Sequence, residues 1–565
     1  MLEYDSYKYS ERTSLIRGTR WATDEEIMGA ARRVRLSDPQ WKCSGLPVIS
    51  DGKTVYLDES DAHSLIIGST GSKKTRLFAM PMLEFMRRAN ESVVVSDPKG
   101  ELYDLTAARF AQSGYQVYVI NLRDPKHSNG WNPLITAREC MKAGQMDRMA
   151  DMINDMACTV IPDPGGRKID PFWINTSRAM FSGLALIMVE NAELFPDETV
   201  NLLTLRHLSS HLIQRGDIPY GEHGLLDVVD TYPDDSIGRL SLEAVMRGTG
   251  RTFDNIKASY DADLQKLYMQ RSLIDMLSVN EVRFQNLGLQ KTILYLIMPD
   301  EKTTLHFVVS MVIKQCYEQL IELAQRCKNN TLPMRVNFLL DEFSNLPQIP
   351  DMPAMISAAR SRNIKFFLII QGLKQLSSKY GEEDAQTIKG NCGNLVFLTS
   401  RELPLLNEIS DLCGEDAMTG EKLITVSQLQ RLNKERGEAL LLMGRQYPYI
   451  TRLADISDYH LAPMQPLPFP VLPSCNANKR TLEELLEMIA EYPDSAEEEQ
   501  IEDDMHEQPD TADSTLSEVE KWVNEKFEEL FGESKDNEGN EEGDENGGEG
   551  ADDDGEEDGD GETEA

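Results

Sequence analysis

The sequence predicts an α/β fold: a mainly parallel sheet flanked by helices, an inserted all-α domain, and a disordered acidic C-terminal tail. Three observations predict it. A glycine-rich turn, Gly68-Ser69-Thr70-Gly71-Ser72-Lys73-Lys74-Thr75, stands directly behind the apolar run Leu65-Ile66-Ile67. Short β-branched runs alternate with helical stretches on both sides of a long strand-poor block, the pattern of parallel strands joined by crossovers. Residues 481–565 hold 36 Asp/Glu against 3 Lys, a composition too charged to fold on itself.

Taken in order, residues 1–60 are polar and mixed and end in the strand-like Thr54-Val55-Tyr56-Leu57. Ser64–Ile67 reads as the strand that feeds the glycine turn, and Arg76–Arg88 as the helix that leaves it. Val93-Val94-Val95 is a buried strand by its β-branched run. It ends in Ser96-Asp97-Pro98-Lys99-Gly100-Glu101, a turn that opens a helix over Leu102–Ser113. Gln116–Asn121 is a third strand. Over 146–284 helical periodicity dominates, broken at Pro233-Asp234-Asp235 and at Gly248-Thr249-Gly250, so this block reads as the all-α domain. Strands resume at Thr292–Ile297, Val336–Leu340, Phe366–Ile370, Leu395–Leu398 and Ala439–Met443. The sheet domain therefore comprises 61–145 and 285–460. Residues 461–480 form a proline-rich linker, and the tail follows. Within the tail, Thr481–Tyr492 and Ser514–Phe531 keep helical spacing.

The formal net charge of −38 is an average over unlike parts. Outside the tail, 59 acids meet 54 bases, and a nearly neutral body neither favours nor excludes nucleic acid, because a local basic surface is enough. None of the 8 cysteines forms a C-x-x-C pair, which fits a reducing compartment. The first 20 residues are polar rather than signal-like. No stretch reads as the roughly 20 apolar residues of a membrane helix; the longest candidate, Phe307–Ile313, is too short.

The glycine turn has the form of a nucleotide-binding P-loop. Backbone N–H groups of the turn and the helix start face one anion, a phosphate chain. Gly68, Ser69, Thr70, Gly71, Ser72, Lys73, Lys74 and Thr75 form the cradle. Lys74 reaches the β/γ-phosphates and Thr75 ligates Mg²⁺. Lys73 stands where the strict pattern has glycine; a side chain there costs about 1–2 kcal/mol at positive φ, so weakened or lost hydrolysis is an expectation. Val336-Asn337-Phe338-Leu339-Leu340-Asp341-Glu342 is an apolar strand ending in two carboxylates. Placed beside the P-loop strand, Asp341 holds Mg²⁺ through water and Glu342 polarises the attacking water. Alone such a strand end is a solvated edge; with a P-loop it is a nucleotide site. Gln371, after Phe366–Ile370, is placed to sense the γ-phosphate or is a polar strand end. Arg360 is a finger for a neighbouring subunit's nucleotide or a surface arginine. His207 and His211 have the spacing of a helical metal pair but lack the following glutamate, and a structural role is favoured.

These residues together resemble the type IV secretion coupling proteins, the TraG/TraD-like DNA-transfer ATPases of conjugation, most of all the forms on integrative elements of Gram-positive bacteria. The matching segments run from Gly18-Thr19-Arg20-Trp21-Ala22-Thr23 to about Tyr459, and include the P-loop, Trp131-Asn132-Pro133, Asp170-Pro171-Phe172-Trp173, Met298-Pro299-Asp300, Leu340-Asp341-Glu342-Phe343, Arg360-Ser361-Arg362-Asn363, Gln371 and Gly390-Asn391-Cys392. The resemblance implies an FtsK/HerA-like motor with a RecA-like nucleotide domain, ATP and Mg²⁺ as cofactors, and homo-hexamers around a channel. It implies that Arg360 is the arginine finger and Gln371 the sensor. It implies partners: a relaxase with its single-stranded DNA, and components of the secretion channel. The family starts with two membrane helices, and this chain begins where the cytosolic part would start. A cytoplasmic protein, peripheral at the inner face of the cell membrane through a separate partner, is therefore expected. Two other functions stay open: a catalytically impaired docking protein for secretion substrates, and a chromosome-type DNA-pumping ATPase.

Overall fold

The computed structural model describes residues 18–38, 41–162, 170–211, 225, 229, 232–246, 251–299, 301–302, 304–416, 418–444, 446–473 and 478–491. The break expected at Gly248-Thr249-Gly250, Asp300 of the Met298-Pro299-Asp300 motif, and the tail beyond Glu491 with its Ser514–Phe531 segment lie outside them.

Among the described residues, twelve strands make two sheets. β1 (Arg32–Arg35), β2 (Leu46–Ser50) and β3 (Thr54–Asp58) form a small antiparallel sheet in the order β1-β3-β2. The large sheet contains β4 (Ser64–Gly68), β5 (Ser92–Asp97), β6 (Gln116–Asn121), β7 (Thr292–Ile297), β8 (Val336–Leu340), β9 (Ile364–Ile370), β10 (Asn394–Thr399), β11 (Glu438–Met443) and β12 (Tyr449–Arg452). Its order is β12-β11-β10-β4-β9-β8-β5-β7-β6. From β10 to β6 every pairing is parallel; β11 and β12 close one edge as an antiparallel hairpin.

The central strands are apolar throughout because both faces are covered. In β4 the pleat turns Leu65 and Ile67 to one face and Ile66 to the other. The first pair joins a core built with the helices between β6 and β7, and Ile66 joins a second core with helix Met80–Arg88 and helix Glu101–Gln112. The described residues between β6 and β7 are helical or irregular, with long helices at Met146–Val160, Pro171–Glu190 and Arg251–Tyr268. Their apolar side chains belong to the same core as Leu65 and Ile67, so this region packs on the sheet as part of one body.

Three details correct the sequence-based expectations. Val336–Leu340 was expected beside the P-loop strand, but β9 lies between them, pairing with β4 on one side and β8 on the other. Strand order is a tertiary property, and neither run carries a mark of its neighbour. Residues 1–60 contain β1 and β2 and a capped helix, Asp24–Ala30, whose Thr23 and Glu26 form a reciprocal cap. Helix Pro171–Glu190, 20 residues long, is apolar and long enough to cross a membrane by length and composition, though no stretch was read as such; 61% of its apolar window is buried inside the protein, as in a core helix.

The proline-rich segment is draped over the body. Phe469 stacks on Tyr103 at 4.4 Å, and Leu472 donates its N–H to the Lys126 carbonyl at 2.9 Å. Helix Leu482–Glu491 follows and buries Leu482 and Leu485.

Candidate functional site

In a parallel sheet every strand delivers its C-terminal end to the same edge, where loops converge. Here β4 delivers Gly68 and the P-loop, β8 delivers Asp341 and Glu342, and β9 delivers Gln371. The P-loop leaves β4, passes through Gly71 at φ +77° and Lys73 at φ +67°, and enters a π-helical turn, Thr75–Ala79, that runs into helix Met80–Arg88. Lys73 therefore adopts the left-handed backbone that glycine has in the strict pattern.

The loop fits a phosphate chain. Among the described residues, no protein acceptor takes the N–H groups of Thr70, Gly71 or Lys73. Ser72 Oγ is buried and also lacks a partner. A Cβ on Gly68 would fall 2.5 Å from Ser72 Oγ and 3.1 Å from Lys74 Cγ, so only glycine leaves room for the turn. Lys74 is buried; its Nζ donates to the Gly68 carbonyl at 2.6 Å and lies 3.6 Å from Glu342 Oε1.

The carboxylates are fixed by their neighbours. Asp341 Oδ2 lies 3.5 Å from Thr75 Oγ1. Ser96 Oγ donates to the Asp341 carbonyl at 2.8 Å. Burial, then the neighbouring Glu342 charge, push the Asp341 carboxyl up to about 7, with Lys74 opposing. Asp97 is also pushed up, to about 6, by burial against the opposing pull of N–H groups from Tyr103 and Gly100 at the start of helix Glu101–Gln112. Glu342 takes a left-handed backbone, φ +52°. Strain of this kind in a non-glycine residue costs of order 1–3 kcal/mol and persists where surroundings over-determine it. Gln371 Nε2 donates to Glu342 Oε2 at 2.8 Å and Asn345 Nδ2 does so at 3.3 Å. Thr70 Oγ1 lies 3.4 Å from Gln371 Oε1. Gln371 thus bridges the P-loop and Glu342.

The structure brings together Lys74, Thr75, Asp341, Glu342 and Gln371. It does not bring Arg360 to them. Arg360 opens a short 3-10 turn, Arg360–Arg362, that precedes β9, so it lies at the N-terminal edge of the sheet. The seven residues of β9 separate it from Gln371, about 20 Å of strand. Arg360 is exposed, and its guanidinium meets no carboxylate among the described residues. His207 and His211 form no pair facing a common point: Lys479 Nζ lies 3.2 Å from His207 Nε2, while His211 Nδ1 bonds the His207 carbonyl at 2.7 Å.

Residues invisible to motif reading complete the site. Glu435 and Lys434 reach the P-loop from a turn before β11, and Asp455 from beyond β12. A cavity of about 230 Å³ lies between them and the loop, lined by Lys73, Leu77, Lys434, Glu435, Leu453 and Asp455 among others. A larger one, about 500 Å³, runs along helix Met80–Arg88 and is lined by none of the P-loop residues Gly68 to Thr75.

A sequence profile described as type IV secretory system conjugative DNA transfer matches residues 4–438. The chain belongs to this family. Among curated members, conjugal transfer protein TraG of Escherichia coli is 24% identical over 393 residues, 66% of this chain and 58% of that protein. Protein VirD4 of Rhizobium rhizogenes is 24% identical over 376 residues, 62% of this chain and 49% of that protein. The chain thus spans about half to three-fifths of the length of these relatives. Among solved structures, the bacterial conjugative coupling protein TrwB with sulphate aligns at TM-score 0.58 and 16% identity, covering 81% of this chain and 97% of that one. The plasmid coupling protein TrwB with ADP and Mg²⁺ aligns at TM-score 0.57 and 14% identity, with the same coverage. The fold is therefore that of the coupling proteins, a P-loop sheet domain with helical additions. Several stretches quoted for the coupling-protein resemblance act here as joints. Arg20 pairs with Glu26 at 2.6 Å, Trp131 is buried, Asn132 Nδ2 donates to the Val200 carbonyl at 2.7 Å, and Asp170 caps helix Pro171–Glu190.

Proposed function

We propose that this chain is the coupling-protein ATPase of a conjugative type IV secretion system, driving relaxase-bound single-stranded DNA toward the secretion channel. One observation supports it above the others: Lys74, Thr75, Asp341, Glu342 and Gln371 converge at one sheet edge around P-loop N–H groups that lack protein acceptors among the described residues. Gly68 to Thr75 would cradle the phosphates of ATP. Thr75 and Asp341 would hold Mg²⁺, which supplies neutralisation of phosphate charge. Glu342, oriented by Gln371 and Asn345, would accept a proton from the attacking water.

Arg360 would act on a neighbouring subunit, since its own P-loop lies at the far edge. That reading goes with a homo-hexameric ring. Contact with the membrane's inner face would come through a separate partner. A second reading, a docking protein with impaired hydrolysis, is favoured by one observation: Lys73 occupies a glycine conformation, φ +67°. Mg-ATP affinity and turnover of the purified protein, with and without single-stranded DNA, separate the two. Binding with DNA-stimulated turnover supports the motor, and binding without turnover supports the docking protein. Absence of nucleotide binding would sink both.

A further inference from the structure

A side chain at the glycine position of a P-loop presents two problems, backbone strain and a bulky cation beside the phosphates. In this chain the Lys73 side chain is drawn away from the cradle. Its Nζ pairs with Glu435 at 2.5 Å and lies 4.0 Å from Asp455 Oδ2. Lys434 Nζ donates to the Gly71 carbonyl at 3.2 Å, so adjacent residues of one turn hold both positive-φ positions of the loop.

The turn behind these contacts is held by its own cap. Glu435 lies in the 3-10 turn Lys434–Arg436, capped by Asn433 Oδ1, which accepts from Glu435 N at 2.9 Å and Arg436 N at 3.3 Å. Gly437 closes the turn at φ +66°, and a Cβ there would fall 1.9 Å from the Leu453 carbonyl oxygen. Asp455 caps the turn Ile456–Tyr459 and pairs bidentately with Arg76, one turn along from Lys73. Arg76 holds the Asp455 carboxyl down at about 2 although burial opposes this, and the hydrogen bond from Lys73 lowers Glu435.

We infer that Glu435, with Lys434 and Asp455, forms a clamp that holds the P-loop open for phosphate by fixing Lys73 outside it, so that Glu435 is a positioning residue needed only because position 73 is lysine. This rests on the nucleotide-binding reading of the P-loop. Glu435 is largely exposed, so its replacement leaves the core intact.

The test is a double-mutant cycle on nucleotide affinity, read with fluorescent ADP and Mg²⁺, using Glu435→Gln, Lys73→Gly and the pair. Lys74→Ala serves as the control for the reading itself. Glu435→Gln is expected to weaken binding three- to tenfold in the Lys73 protein. In the Lys73→Gly protein the same change is expected to have no further effect, because its target is gone. Equal losses in both backgrounds would mean that Glu435 acts on the nucleotide directly, and would overturn the clamp. No loss in either would overturn it as well. Unchanged affinity in Lys74→Ala would instead overturn the nucleotide reading, and the proposal with it. A parallel cycle on the melting temperature separates the two failures: coupling between Glu435 and Lys73 there, without coupling in affinity, reduces the clamp to a surface ion pair.

Discussion

At the C-terminal edge of the parallel sheet five polar side chains converge within one subunit: Lys74, Thr75, Asp341, Glu342 and Gln371. At the N-terminal edge Arg360 stands exposed, with no carboxylate partner among the described residues, at the far end of the strand that leads to Gln371. Both ends of β9 bear a polar group, yet only one end has a site around it. The difference teaches that the edge carrying the P-loop is assembled by the fold of one chain, whereas Arg360 would find its work, under the proposed function, against another copy. The same strand, β9, runs from the turn that holds Arg360 to Gln371.

That contrast can be broken at either edge. The largest effect is expected at the complete edge. Lys74→Ala removes the buried cation facing the phosphates, and Mg-ATP affinity should fall on the order of a hundredfold or more. Unchanged affinity in a titration would remove the P-loop from the account. Next in size is Gln371→Ala. It frees Glu342 from the 2.8 Å bond that orients it. Turnover should fall roughly tenfold, the worth of one orienting hydrogen bond, with affinity within about threefold. An equal fall in affinity would make Gln371 a binding residue instead.

The smallest effect concerns the N-terminal edge. His63, just before β4, is buried there. Its Nδ1 accepts from Phe366 N at 3.0 Å, so the proton sits on Nε2, which donates to the Ile356 carbonyl at 2.8 Å. Ile356 lies on helix Met352–Ala359, which leads into Arg360. Burial depresses His63 to about 4, with the Arg360 and Lys365 charges adding to it. The ordinary histidine value is about 6.5. A depressed base adds stability that is complete above about pH 6.5 and is lost as pH falls toward 4. The melting temperature should therefore drop across that window, and the histidine part of the slope should vanish in His63→Asn. A slope identical in the variant would assign the acid sensitivity to other groups.

Much of the large sheet was legible in the sequence because strands buried on both faces must be apolar. Val93-Val94-Val95 and Phe366–Ile370 have no polar face to blur them. Of the strands that escaped notice, β2 is largely buried but is only five residues long and carries Pro47, while the other two are exposed. β1 reads Arg-Arg-Val-Arg and buries only Val34, and β12 alternates buried and exposed residues over four positions. The P-loop and the Asp341-Glu342 strand end were legible because their chemistry is local. The place of β9 between them was not, since pairing order depends on all the strands at once. Glu435 and Asp455 were out of reach for a simpler reason. Each stands more than 350 residues from Lys73, and nothing in an exposed Lys-Glu-Arg turn marks a partner of the P-loop.

The central claim is that Arg360 completes a neighbour's site. The direct measurement is ATP turnover by mixed proteins. Arg360→Ala should bind Mg-ATP normally and turn over on the order of 10³-fold more slowly, as expected for a missing arginine finger. Lys74→Ala should be inactive for want of nucleotide. Mixed together, the two should regain part of the activity, because a Lys74→Ala subunit can still offer its Arg360 to an Arg360→Ala neighbour holding ATP. Full turnover by Arg360→Ala alone, or no recovery in mixtures shown to co-assemble, would contradict the account.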